Sequence, residues 1–76
     1  MKKLTISEVV ADKRKAQGLT LRQLASKVGL SYQTIARVEQ GRGGIDANNR
    51  VLRALGVGIN ARRQLLEAAV AKMLAA

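Results

Sequence analysis

Apolar residues recur three and four apart along most of the chain, and glycines interrupt the pattern at 18, 29, 41, 43, 44, 56 and 58. That periodicity predicts five helices and no strands, with no internal repeat or linker long enough to divide domains. A first helix is expected over residues 7–17, with Thr5 and Glu8 spaced as a capping box, Ile6 and Val10 facing inward and Gly18 as the stop. The second begins after Thr20, whose hydroxyl can cap it while Gln23 reaches back. It buries Leu21 or Leu24, together with Ala25 and Val28. Gly29 supplies a left-handed residue to end it, and Leu30 makes the hydrophobic contact expected after such a cap. Ser31 caps a third helix that runs to about Gln40 and stops at Gly41. A fourth is expected over 47–55, ending at Gly56. The fifth follows Asn60 to the C-terminus with a broad apolar stripe of Ala61, Leu65, Leu66, Ala69, Val70, Met73 and Leu74.

Only Gly29, Leu30 and Ser31 separate the second helix from the third, so the two must cross steeply, as in a helix-turn-helix. A close crossing needs a small residue at the contact, which Ala25 supplies. Leu24, Val28, Leu30, Ile35 and Val38 then lock the pair. With Ile35 and Val38 inward, the opposite stripe of the third helix is Gln33, Ala36, Arg37 and Gln40, with Tyr32 at its edge. An exposed helix normally carries Glu and Lys there. Planar amide and guanidinium groups instead make paired hydrogen bonds to adenine and guanine edges in the major groove, and Ala36 leaves room for the helix to seat, its methyl able to touch a thymine methyl. Tyr32 has two uses open to it, packing on the second helix or touching DNA.

Composition narrows the function. At 76 residues the chain is one domain that buries only about 60% of its unfolded surface, and a partner subunit would help it. Tyr32 is the sole aromatic residue, and there is no Cys or His. No disulfide, thiolate or imidazole chemistry is therefore available. The five acids, Glu8, Asp12, Glu39, Asp46 and Glu67, are scattered without a metal-ligand or paired-carboxylate pattern. No enzyme, metal or cofactor is expected. The apolar stretch near the N-terminus is broken at Ser7 and Glu8, so no export signal is read, and no window approaches the roughly 18 apolar residues of a membrane span. A soluble, cytoplasmic protein is expected.

The net charge is +9, a field that attracts polyanions, nucleic acid first among them. Its placement is more telling. Residues 13–42 carry Lys13, Arg14, Lys15, Arg22, Lys27, Arg37 and Arg42 against Glu39 alone. Arg22 and Arg42, at helix and loop edges, suit phosphate contact rather than base reading. Lys13 and Lys15 suit a solvated face, Lys2 and Lys3 a solvated terminus or an arm around the duplex. Arg62 and Arg63, at the wrong end of the last helix for its dipole, hint at an anion there.

The stretch "GLTLRQLASKVGLSYQTIARVEQGR", followed by "RALGV", resembles the lambdoid-phage repressor and Cro family, the Xre-type helix-turn-helix regulators. The resemblance covers residues 6–57 and leaves a C-terminal helix at 60–75 for core cover or dimerisation. It implies a compact, five-helix, lambda-repressor-like all-α fold across the single domain 1–76. It implies base contact by Tyr32, Gln33 and Arg37, with Ser31 and Thr34 near the backbone, and phosphate contact by Thr20, Arg22 and Arg42. It also implies a structural ion pair between Arg14 and Glu39. Three positions depart from the family pattern. Leu21 stands where a glutamine usually touches backbone and braces the reading helix, Asn48 stands where a leucine is usual, and the loop "GRGGID" is short and glycine-rich.

The expected function is a dimeric repressor reading a palindromic operator on double-stranded DNA, with Leu65, Leu66, Val70, Met73 and Leu74 as a two-fold interface. Two alternatives stand beside it. One is an antitoxin that holds a toxin on the last helix and regulates its own promoter, and the other is a non-specific nucleoid-type binder.

Overall fold

The computed structural model describes residues 5–75, apart from the Met73 side chain, and forms five helices: α1 (Ile6–Ala16), α2 (Leu21–Val28), α3 (Tyr32–Glu39), α4 (Ile45–Ala54) and α5 (Ile59–Ala75). Among the described residues there is no strand. Lys2 and Lys3 lie outside this set.

Local chemistry sets the helix starts. The Thr20 hydroxyl accepts the Gln23 N–H at 3.1 Å and the Gln23 side chain accepts the Thr20 N–H at 2.8 Å, a complete capping box at the start of α2. Ser31 accepts the Thr34 N–H at 3.2 Å to start α3. The expected box at α1 is half formed. Thr5 accepts the Glu8 N–H at 3.3 Å, but the Glu8 carboxylate takes the Thr5 hydroxyl at 3.4 Å.

Gly29 ends α2 with φ +81°, and the N–H groups of Gly29 and Leu30 both donate to the Ala25 carbonyl. An L side chain is strained in that conformation. The first four helices are in fact all followed by a left-handed glycine, at 18, 29, 41 and 56.

These ends hold the apolar faces together. Val10, Leu24, Ile35, Val51 and Leu52 are completely buried, and Ile6, Ala25, Val38 and Leu55 nearly so. The core is therefore drawn from the first four helices. Leu65, Leu66 and Ala69 of α5 cover it from one side while staying half-buried. No helix among the described residues is long and apolar enough to cross a membrane.

The helix limits differ from expectation in small ways. α1 starts and ends one residue early, and Gln40 is the C-cap of α3 rather than its last residue. α4 begins at Ile45, two residues early, because Gly44 forms its N-cap without any side-chain bond that the sequence could advertise. α5 begins at Ile59, so Asn60 sits inside the first turn.

Gly29→Ala should leave the fold intact and lower its stability by about 1–2 kcal/mol, the cost of a left-handed alanine. For a chain of this size that is a fall of roughly 5–15 °C in thermal midpoint, readable by circular dichroism.

Candidate nucleic-acid interface

α3 is held from behind. Ile35 and Val38 are 0% and 1% exposed, which turns Tyr32, Gln33, Arg37 and Gln40 to solvent and leaves Thr34 and Ala36 half-buried between the two faces. Thr20, Arg22, Ser31 and Arg42 are also exposed. Thr20 spends an oxygen lone pair on its helix cap, which leaves its hydroxyl proton able to donate outward, whereas the Ser31 hydroxyl also bonds the Thr34 hydroxyl at 2.8 Å. The Arg42 N–H donates to the Arg37 carbonyl at 2.8 Å, so the turn after α3 carries Arg42 back along the same helix end.

Tyr32 does rest against α2, through one residue. The Arg22 guanidinium lies over its ring, 5.3 Å from the centroid. The contact joins the first turns of α2 and α3 and holds a cation at the helix junction. Leu21, meanwhile, packs half-buried against the core, so its side chain makes no brace on the polar side.

Arg14 and Glu39 meet behind this surface. Arg14 Nε donates to Glu39 Oε2 at 2.6 Å and Nη2 to Oε1 at 3.2 Å, while Nη1 donates to the Leu19 carbonyl at 2.8 Å. One guanidinium thus ties α1, the α1–α2 turn and the end of α3. The pair is only 15% and 14% exposed. Its electrostatic consequence is as useful as its mechanical one. Glu39, the only acid in the strongly basic stretch, is neutralised from within and sets no opposing charge beside Arg22, Arg37 and Arg42.

Other residues prove to be structural. Arg62 donates from Nη1 to Asn49 Oδ1 at 2.9 Å, tying α5 to α4, while its Nε is buried without a partner and Arg63 stays exposed. Gln17 donates from Nε2 to the Leu55 carbonyl at 3.0 Å and accepts Lys27 Nζ at 3.3 Å, joining α1 to α4 and α2. The sequence carried no signal for Gln17, whose carbonyl partner lies far along the chain. Asn48 turns inward and is 8% exposed, the one buried polar residue among those described. Its Nδ2 reaches the Gly43 carbonyl at 3.4 Å. The amide therefore faces the protein's own α3–α4 turn.

On α5, the apolar residues divide. Leu65 and Leu66 turn partly to the chain's own core, so they are not purely an outer surface. Leu66, Glu67, Val70, Ala71 and Leu74 line an open, almost wholly apolar groove, with Leu74 83% exposed. The Met73 side chain lies outside the described set. Among the described residues no cluster of acids could hold a metal ion.

A family model described as helix-turn-helix matches residues 10–60, from the middle of α1 through the whole of α2, α3 and α4 to the first residues of α5. The chain belongs to the Cro/C1-type helix-turn-helix family. As a member it is a lambda-repressor-like, all-α protein that binds double-stranded DNA and regulates transcription, and the family is one of DNA-binding regulatory domains rather than of enzymes. Neither the curated proteins nor the solved structures yielded a match to the chain.

Breaking the shielded pair should be expensive for so small a helix-turn-helix protein. Glu39→Gln and Arg14→Met are each expected to lose about 2–3 kcal/mol in urea unfolding, since each leaves a desolvated partner. The double variant should lose clearly less than the sum, and strict additivity would mean that the pair contributes no coupling.

Proposed function

We propose that this protein is a dimeric repressor that reads a palindromic operator by laying α3 in the major groove. The carrying observation is the exposed stripe of Tyr32, Gln33, Arg37 and Gln40 on a helix whose opposite face is fully buried. Arg37 is suited to a guanine edge and Gln33 to an adenine edge, each by paired hydrogen bonds. Ala36 lets the helix approach closely. Tyr32 contributes to the base-reading edge while carrying Arg22 on its ring.

Thr20, Arg22, Ser31, Thr34 and Arg42 flank the stripe and contact phosphate, fixing register without carrying sequence information. Two copies present two such helices about 34 Å apart, in successive major grooves. The apolar groove on α5, with Val70 and Leu74 and the outward parts of Leu65 and Leu66, supports pairing through that helix.

Selection of bound sequences from a random duplex library tests the main reading, and a two-fold symmetric motif is the expected result. Absence of any enriched motif would sink sequence-specific repression in favour of non-specific binding. Arg37→Ala should relax preference at one base position of each half-site, whereas Arg42→Ala should weaken every duplex about equally and make the salt dependence shallower by about one unit. Unchanged base preference in Arg37→Ala would remove that residue from the reading set.

Sedimentation tests the pairing separately. A dimer is expected at the concentrations that saturate DNA, with Leu74→Glu shifting it toward monomer while leaving the helix content alone. A wild-type monomer well above those concentrations would discard the homodimer and turn attention to a different protein on α5, such as a toxin.

A further inference from the structure

The turn between α3 and α4 is built around a conflict. Gly43 is pressed between two helices so closely that a Cβ there would come within 2.5 Å of Asn48 Oδ1 and 2.6 Å of Val38 Cγ2. Its carbonyl accepts Asn48 Nδ2, yet Asn48 Oδ1 is buried without a partner. An orphan buried acceptor lowers stability, and an apolar side chain of the same shape would fill the space without that loss. A local rule broken in this way points to a requirement other than stability.

The requirement is geometric. The peptides of this turn are trans, so the carbonyl of Gly43 and the N–H of Gly44 point in opposite directions. Drawing the carbonyl in toward Asn48 therefore turns the Gly44 N–H away from the core. Gly44 is exposed and is the N-cap of α4, where no side chain caps the first turn. Arg42 immediately precedes this peptide and is exposed as well. Asp46, also exposed in the first turn of α4, is the nearby acid that opposes an anion there.

We infer that Asn48 is a positioning residue for DNA binding: by anchoring the Gly43 carbonyl inside, it sets the turn that presents Arg42 and the Gly44 N–H to the phosphate backbone. This rests on the assignment of Arg42 to phosphate. Asn48 itself touches no DNA. An apolar residue at 48 removes the side-chain bond that fixes the direction of the Gly43 carbonyl, so the presentation of the turn loosens while the core beneath it stays filled.

The test compares N48L, R42A and the double variant with the wild type. Circular dichroism gives thermal midpoints, and fluorescence anisotropy over a salt series gives affinity for a 30-base-pair duplex of scrambled sequence and for the duplex selected from the library. N48L should keep or raise the thermal midpoint while binding both duplexes about three- to tenfold more weakly, with unchanged base preference and a shallower salt slope. On the R42A background the same change should do markedly less. If N48L does not fold, N48A, assayed at a temperature where it is fully folded, takes its place with the same expected loss. Wild-type affinity in a folded Asn48 variant, alongside a weakened R42A, would overturn the inference. Wild-type affinity in R42A would overturn the assignment of Arg42, and with it the route argued for Asn48.

Discussion

The exposed polar face of α3 depends on how closely α2 and α3 cross. Three residues join them, and Ala25 at the contact is only 5% exposed, with Leu24 and Ile35 sealed completely. A larger side chain at Ala25 would push the helices apart, and overpacking of that kind is felt through a dense interior rather than absorbed by it. The left-handed Gly29 turns the chain back within that distance. Once the crossing is set, the buried pair Ile35 and Val38 leaves the polar side of α3 no direction but outward.

The remaining helices serve that arrangement from behind. Arg14 fastens α1 to the far end of α3, and Gln17 fastens its end to the carbonyl of Leu55, the C-cap of α4. Neither bond involves the exposed residues Tyr32, Gln33, Arg37 or Gln40. Both use long polar side chains at the margin of a core with no aromatic rings to fill it. The outcome separates charge by role: the carboxylate of Glu39 is spent internally, while Arg22, Arg37 and Arg42 remain exposed on and around α3.

The parts of this design that depend on neighbours in sequence were legible from it. Thr20 with Gln23, Ser31 with Thr34 and the glycine after each of the first four helices act over a few residues, so spacing alone exposes them. The start of α4 was hidden because Gly44 caps it with nothing but backbone. Contacts between distant positions were hidden for a different reason. Nothing local marks Gln17 as the partner of Leu55 or Arg22 as lying over Tyr32. The inward turn of Asn48 was hidden as well, because only the tertiary position of Gly43 shows why its amide points there. At the interface, the sequence located the exposed stripe, but which side chains are already engaged by the protein itself emerged only from the packed structure.

Helix length carries a consequence for the behaviour of the whole molecule. α1 to α4 have 11, 8, 8 and 10 residues, all below the length at which a helix persists alone in water. The exposed polar face of α3 therefore has no existence apart from the assembled core, and a partly unfolded chain presents no weakened version of it. Occupancy of DNA must follow the folded fraction of the protein in an all-or-none manner, which makes modest losses of stability, wherever in the chain they arise, equivalent to lowering the amount of regulator in the cell.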